Sequence, residues 1–182
     1  PKYRVRIDHT QVVWGNNSFD KFNMQGWGAF ILPMRVSPEG SAEFCLNHER
    51  RMLIRDEAGQ QGSVFIDNLP QGAITPGEST IEASKREAEE ETGTVPIDIL
   101  LMGQSAYDIS NSESIQDIFL GLVSHGHKAV DQKLDSTEEI EWKWHNWEEV
   151  GELDLIDNKT ESALYKASRI LVRLLYAPHL LF

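Results

Sequence analysis

The sequence has one cysteine and no long apolar run, and each shortage excludes a class of protein. Cys45 has no second cysteine to pair with, which excludes a disulfide-rich secreted domain. Because the N-terminal residues also contain no apolar signal core, we expect a cytoplasmic protein. The most apolar stretches, residues 27–34 and 170–175, are far shorter than the roughly 20 residues that a membrane helix needs. We therefore expect no contact with a membrane.

Basic side chains are also scarce, with 17 Lys and Arg against 29 Asp and Glu and a formal net charge of −12. A surface of this sign repels phosphate backbones, which argues against a nucleic-acid partner. A phosphorylated small molecule would have to be bound by a local group of Arg and Lys or by divalent cations held between carboxylates. The 40% of hydrophobic residues is typical of a globular chain and excludes a disordered or fibrous one.

The order of predicted elements indicates a single α+β or α/β sandwich over residues 1–182. Short alternating runs at residues 5–7, 11–14 and 19–23 predict an antiparallel meander at the N-terminus. Later strands are predicted at 27–34, 44–47, 51–55, 97–107, 115–124 and 140–147. Helices are predicted at 79–92, where Gly93 ends the pattern, and after the polar residues 157–160.

Three glutamates share one face of the first predicted helix. At about 100° per residue, Glu90 lies roughly 60° to one side of Glu87 and Glu91 roughly 40° to the other. Like charges at these spacings repel, whereas Mg²⁺ or Mn²⁺ prefers such oxygen ligands. A solvated glutamate-rich face is the alternative, because charge runs are weak signals. The turn-rich residues 69–77 favour the metal site, since their glycines let the backbone approach a ligand.

Residues 72–94 resemble the Nudix box of the Nudix hydrolases. The glycines and charged residues of the box stand at their expected spacing: Gly72, Glu78, Arg86, Glu87, Glu90, Glu91 and Gly93. Ala88 and Thr94 occupy positions that are aliphatic in the box. The resemblance implies an α/β/α sandwich with a mixed sheet, in which residues 26–182 form the catalytic core.

The resemblance also implies roles for individual box residues. Glu87, Glu90 and Glu91 would bind Mg²⁺ or Mn²⁺, and a backbone carbonyl of Gln71 or Gly72 would complete the metal site. The family reaction is hydrolysis of a nucleoside diphosphate linked to another group, in which water attacks a phosphorus atom. Metal ions fit this chemistry because they neutralise the pyrophosphate and activate water.

Other box residues are expected to act as scaffold, with Gly93 at the end of the helix. Glu78 and Arg86 would brace the loop against the helix through a charge-assisted hydrogen bond. The reaction also needs a general base, and family members take it either from the box helix or from a later acidic loop. Glu87 is the candidate on the helix, and Glu138 and Glu139 are the candidates in the loop. A solvated turn is the alternative for that loop.

Features outside the box resemble the ADP-ribose and ADP-sugar pyrophosphatase branch, whose N-terminal strands, here residues 1–25, commonly build a homodimer. Candidate substrate contacts are Arg55, Arg51 and Glu113, and Arg55 suits bidentate contact with a phosphate. Ion pairs with carboxylates are the alternative for the arginines. Because Ser110 replaces the marker proline of the branch, two alternatives stay open. They are a dinucleoside polyphosphate or NTP pyrophosphohydrolase and a non-catalytic nucleotide-sensing domain.

Overall fold

The structure is a computed structural model that describes residues 6–14, 17–25, 28–53, 62–106, 115–134, 138–154 and 157–176. The strands are β1 (Arg6–Trp14), β2 (Asn17–Gln25), β3 (Gly28–Val36), β4 (Ala42–Leu53), β5 (Gly62–Asn68), β6 (Gln71–Ala73), β7 (Asp98–Ala106), β8 (Ile115–Leu122) and β9 (Ile140–Asn146). The helices are α1 (Thr80–Thr92), α2 (Trp147–Glu152) and α3 (Asn158–Tyr176).

Seven strands form one mixed sheet in the order β5-β4-β3-β8-β7, with β6 paired to β3 and β9 paired to β4. The β3 and β8 strands are parallel, while the other ladders of this sheet are antiparallel. Strand β3 is buried over most of its length, as expected for a central strand covered on both faces. The predicted class, a mixed sheet between helices, is confirmed.

The two faces of the sheet pack against different helices. Because side chains alternate along a strand, neighbouring residues of β3 and β8 join different clusters. Ile31 and Phe119 pack with Ala88 of α1 on one face. The larger cluster lies on the other face and includes residues of β3, β4, β8 and α3: Phe30, Leu32, Phe44, Leu46, Ile118, Leu120, Ala163, Leu164 and Ala167.

The strand prediction is wrong in two places. The predicted N-terminal meander is a hairpin, in which β1 spans two of the predicted runs and pairs with β2 from Arg6↔Gln25 to Trp14↔Asn17. The strand predicted at residues 44–47 and the described part of the one predicted at 51–55, residues 51–53, are joined in β4, because its polar middle residues pair with β5 on one edge and β9 on the other.

Three short elements were not predicted: β5, β6 and α2. Strand β6 has three residues, which is too few for a periodic pattern, and β5 begins inside a glycine- and glutamine-rich segment. Helix α2 begins at a capping box, in which Asn146 accepts a hydrogen bond from the Glu149 N–H and Glu149 accepts one from the Asn146 N–H. None of the described helices is long and apolar enough to cross a membrane.

Candidate active site

Helix α1 has well-defined ends, which fix the register of its glutamates. At its start, the Ser79 hydroxyl accepts from the Glu82 N–H, and the Glu82 carboxylate accepts from the Ser79 N–H at 2.8 Å. At its end, Gly93 adopts the left-handed conformation, with φ 64°, and its N–H bonds to the Glu89 carbonyl at 3.0 Å. The C-terminal glycine is the stop signal that the sequence predicted, whereas the reciprocal capping between Ser79 and Glu82 was not predicted.

A cleft of about 280 Å³ lies beside α1 and β6. Most of the predicted metal and catalytic residues line it. The lining residues are Gln71, Gly72, Ala73, Thr75, Arg86, Glu87, Glu90, Glu91, Lys133 and Glu138. With four glutamates against one arginine and one lysine, the cleft has a negative charge.

Glu91 is the most deeply buried glutamate of the cleft, with 5% of its surface exposed. Its Oε2 accepts hydrogen bonds from Asn47 Nδ2 at 2.6 Å and from the Gln71 N–H at 3.0 Å. Burial raises the pKa of Glu91 to about 8, although these hydrogen bonds act in the opposite direction. The hydrogen bond from the Gln71 N–H to this carboxylate joins β6 to α1 at the most buried glutamate of the cleft.

Glu87 lies directly against Gly72 of β6. A Cβ atom added at Gly72 would overlap the Glu87 carboxylate, so the carboxylate can occupy this position only because residue 72 has no side chain. Glu87 is 7% exposed, and burial raises its pKa to about 7 even though Arg86 favours the ionised form. The place of the glycine in the box therefore has a direct structural reason.

Arg86 connects the box carboxylates. Its Nε donates to Glu78 Oε1 at 3.0 Å, and its Nη1 donates to Glu87 Oε1 at 2.6 Å and to Glu90 Oε2 at 2.9 Å. Its Nη2 reaches the Ala73 carbonyl at 2.9 Å. The hydrogen bond from Arg86 is the main reason that the pKa of Glu78 falls to about 2. Arg86 and Glu78 thus link the loop to the helix, as a scaffold pair would.

The donor chemistry of the cleft fits a hard divalent cation. Carboxylates and backbone carbonyls are the ligands that Mg²⁺ and Mn²⁺ prefer. Burial raises the pKa of Glu87 and Glu91 in spite of their hydrogen bonds, so an added positive charge would favour their ionised forms. Within the described residues, no group of three or more His, Cys, Asp or Glu is already arranged to hold a metal ion. Arg86 Nη1 now bridges Glu87 Oε1 and Glu90 Oε2, so a cation that used these two oxygens would have to replace it.

The two glutamates of the predicted acidic loop have different surroundings. Glu138 lines the cleft, and its charge contributes to the raised pKa of Glu87. The carboxylate of Glu139 instead lies 3.4 Å from Arg50 Nη1, and its backbone carbonyl accepts from the Arg50 N–H at 3.3 Å. The structure therefore brings Glu138, but not Glu139, to the box glutamates.

Only one of the three predicted substrate contacts, Arg51, is among the described residues. Arg51 Nη2 forms an ion pair with Glu49 Oε1 at 2.5 Å, and Arg51 is not among the described residues that line the cleft. Arg55 and Glu113 lie outside the described residues. Their proposed roles stay predictions.

Sequence reasoning missed several residues that hold the cleft together. Asn47 supports Glu91, and its signal is a polar residue inside the apolar start of β4. Lys159 at the start of α3 donates to Gln71 Oε1 at 3.2 Å and lies 4.4 Å from the centre of the Phe30 ring. No local pattern identifies Lys159, because it reaches β6 only through the packing of α3.

Comparison with known proteins identifies the domain type. A family model described as the NUDIX domain matches residues 40–166, which include every described residue that lines the cleft. No curated protein sequence matches the chain.

Several solved structures have a similar fold. The NUDIX domain of NrtR from Shewanella oneidensis, solved in complex with ADP ribose, is 18% identical with a TM-score of 0.57; the match covers 80% of this chain and 87% of that one. An ADP compounds hydrolase is 15% identical with a TM-score of 0.60 over 93% of this chain and 95% of that one. An Ap4A hydrolase from C. elegans is 18% identical with a TM-score of 0.53 over 80% of this chain and 98% of that one. At these identities the likeness concerns the fold.

Proposed function

Because this chain belongs to the Nudix family, we propose that it is a metal-dependent hydrolase that cleaves the pyrophosphate bond of a nucleoside diphosphate linked to another group. The observation that carries this proposal is the placement of Glu87, Glu90, Glu91 and Glu138 around one cleft. A non-catalytic nucleotide-sensing domain would not need this set of carboxylates. Two members of the set, Glu87 and Glu91, are buried, which is costly unless they bind a cation.

In this proposal each box residue has a distinct task. Glu87, Glu90 and Glu91 hold Mg²⁺ or Mn²⁺, which neutralises the pyrophosphate charge and makes water a better nucleophile. Asn47 keeps the Glu91 carboxylate in place. Arg86 holds the loop through Glu78, while its Nη1 is the group that exchanges with the cation. The backbone of Gln71 and Gly72 supplies the remaining contacts of the site.

We assign the general base to Glu138. It lines the cleft that holds the box glutamates, so it can accept a proton from a water molecule there. Glu139 is directed to Arg50 and serves the strand pairing between β4 and β9. Glu87 is the second candidate, because its pKa of about 7 would suit a base, but its proposed place among the metal ligands competes with that role.

The proposed substrate is ADP-ribose or an ADP-sugar. The sequence features outside the box support this choice, and one similar structure was solved with ADP ribose while another is an ADP compounds hydrolase. The similarity to an Ap4A hydrolase keeps dinucleoside polyphosphates as the second candidate. Arg51, Arg55 and Glu113 stay the proposed substrate contacts.

A substrate panel tests the activity. The full chain is incubated with ADP-ribose, ADP-glucose, diadenosine polyphosphates and nucleoside triphosphates, with Mg²⁺, with Mn²⁺ and with EDTA. We expect AMP and a sugar phosphate from ADP-ribose, only when a divalent cation is present. Preferred cleavage of diadenosine polyphosphates would move the assignment to the second branch, and binding of ADP-ribose without turnover would indicate a sensor.

Matched variants test the base. Glu138→Gln should lower kcat by about 100-fold with little change in KM, since the group acts mainly in the transition state. Glu139→Gln is the control, with the same chemical change one residue away, and should stay within about threefold of wild type. Equal losses in both variants would contradict the separation of the two glutamates, and no loss in either would move the base to Glu87.

We further propose that residues 1–182 form one domain that assembles as a homodimer in the cytoplasm. The hairpin of β1 and β2 is a two-stranded sheet, which is only marginally stable alone, so pairing through residues 1–25 would stabilise it. The lone buried Cys45 suits a reducing compartment. Light scattering should give twice the monomer mass of 20.7 kDa. A monomer mass at micromolar concentration would contradict the dimer.

A further inference from the structure

The side chain of Gln132 makes two contacts with backbone carbonyls of α1 and β9. Its Nε2 donates to the backbone carbonyl of Glu91, at 2.5 Å, and to the backbone carbonyl of Ile140, at 3.3 Å. A primary amide nitrogen has two hydrogens, so both bonds can exist at once. One side chain therefore joins the helix that carries the box to the first residue of β9.

The backbone around Gln132 is attached to the same end of α1. The Val130 N–H donates to the Gly93 carbonyl at 2.9 Å, and the Lys133 N–H donates to the Glu90 carbonyl at 2.8 Å. The last carbonyls of a helix have no partner within the helix, and the last turn of α1 contains no basic residue. Residues 130–133 thus supply the donors that the end of α1 needs.

The second contact of Gln132 fixes the chain on the far side of Glu138. Ile140 is 7% exposed and pairs with Glu49 in the ladder between β4 and β9. Glu138 precedes it by two residues and lines the cleft. Ile140, two residues after Glu138, is therefore joined through Gln132 to the end of α1 that carries Glu91.

We propose that Gln132 is a positioning residue that sets the location of Glu138 at the cleft by tying Ile140, two residues further along the chain, to α1. The inference rests on the proposed function, in which Glu138 is the general base. Anchoring the backbone two residues from Glu138 restricts where its side chain can lie. Small displacements of a catalytic group lower the rate strongly, so loss of this tie should act on kcat.

Two variants of Gln132 remove the donor. Gln132→Met keeps the length of the side chain, and Gln132→Glu keeps its shape but directs a carboxylate at two carbonyl oxygens. Asp131→Asn is the matched control, because Asp131 is the exposed neighbour and the exchange of acid and amide is the reverse of Gln132→Glu. The measurements are kcat, KM, the Mg²⁺ concentration for half-maximal rate, and backbone hydrogen exchange.

We expect Gln132→Met to lower kcat about tenfold, with KM and the Mg²⁺ requirement within twofold, and Gln132→Glu to lower it further. The amides of Lys133, Glu139 and Ile140 should exchange faster, while those in the middle of α1 should not change. In a Glu138→Gln background, Gln132→Met should cost less than twofold, since its effect passes through Glu138. Asp131→Asn should keep the wild-type rate.

Unchanged hydrogen exchange in Gln132→Met would overturn the inference. A full tenfold loss in the Glu138→Gln background would also overturn it, because Gln132 would then act through another group. If Glu138→Gln keeps the wild-type rate, the proposed base is wrong and the positioning role falls with it. The defect of Glu138→Gln alone thus distinguishes failure of the proposed function from failure of this inference.

Discussion

Both faces of strand β4 carry buried residues, but the chemistry of these residues differs. Phe44 and Leu46 lie on one face and join the larger apolar cluster, which includes residues of α3. Asn47 and Glu49, both at most 6% exposed, are polar and lie on the other face, where Asn47 contacts Glu91 of α1. The comparison indicates that apolar burial on the α3 face stabilises the fold, whereas burial of carboxylates on the α1 face lowers the stability.

The energetic terms of the two faces have opposite signs. Burial of a large apolar side chain contributes about 1.5–3 kcal/mol, so the cluster under α3 stabilises the fold. A buried carboxylate without a full counter-charge costs free energy, and the raised pKa values of Glu87 and Glu91 report this cost. Substitutions on the α1 face should therefore lower activity with little loss of stability, and substitutions on the α3 face should lower stability with little loss of activity.

The largest expected effect is on the α1 face. Glu91→Gln or Glu90→Gln should lower turnover at least ~100-fold, since loss of a metal ligand removes ~3 kcal/mol of transition-state stabilisation. The thermal stability of the metal-free protein should hold or rise. Glu89→Gln, on the same helix but paired with Lys133, is the control and should keep activity within about twofold. Wild-type turnover in Glu91→Gln would end the assignment of Glu91 as a metal ligand.

The opposite result is expected on the α3 face. Leu164 is 4% exposed in the apolar cluster, and Leu164→Ala should lower the free energy of unfolding by about 3 kcal/mol because it leaves a cavity. Urea denaturation would measure this loss. Turnover at 20 °C should stay near the wild-type value. A large loss of kcat in the folded variant would mean that the two faces are coupled.

Sequence patterns predicted α1, α3 and the strands β3, β7, β8 and β9, together with the end of α1. The register of the glutamates, the glycine at position 93 and the continuous apolar run of β3 are local properties, so they can be read along the chain. The course of β4 could not be predicted, since its polar residues are held in a strand by partners far away in sequence, in β5 and β9. Tertiary pairing overrides local pattern at such positions.

The residues of the candidate site also divide into those that a local sequence pattern predicts and those that depend on distant contacts. The box glutamates lie on one helix and were visible as a group, whereas the separation of Glu138 from Glu139 depends on the strand register at Ile140. Asn47 and Gln132 act from elements that the sequence does not connect to the box. Contacts between distant residues leave no spacing rule, and they therefore required the structure.

Two glycines that lie against α1 or at its end, Gly72 and Gly93, should respond differently to substitution by alanine. A Cβ at Gly72 would overlap only the end of the Glu87 side chain, which can move, so Gly72→Ala should lower kcat about tenfold or more with little loss of stability. A Cβ at Gly93 would overlap the backbone carbonyl of Val130 at a left-handed φ of +64°, so Gly93→Ala should cost about 2 kcal/mol of stability. Thermal melts and kcat measured for both variants would show whether Gly72→Ala mainly lowers activity and Gly93→Ala mainly lowers stability. The reverse pattern would contradict the place of Glu87 in the site.

The smallest expected effect is a dependence of stability on pH that belongs to the α1 face. The pKa of Glu91 rises from 4.5 to about 8 on folding, so the folded state favours the protonated carboxyl. Stability from this group is complete below pH 4.5 and is lost as the pH rises through about 8. In EDTA, the melting temperature should therefore fall by ~4 °C between pH 6 and pH 9, which corresponds to 1 to 2 kcal/mol for a chain of this size. Mg²⁺ should reduce this fall, because a bound cation stabilises the ionised carboxylate.

Two variants are the controls for this pH dependence. In EDTA, Glu91→Gln should reduce the fall of the melting temperature between pH 6 and pH 9, whereas Leu164→Ala should melt at a lower temperature but show the same fall as the wild type. An unchanged slope in Glu91→Gln would show that Glu91 is ionised in the folded, metal-free protein.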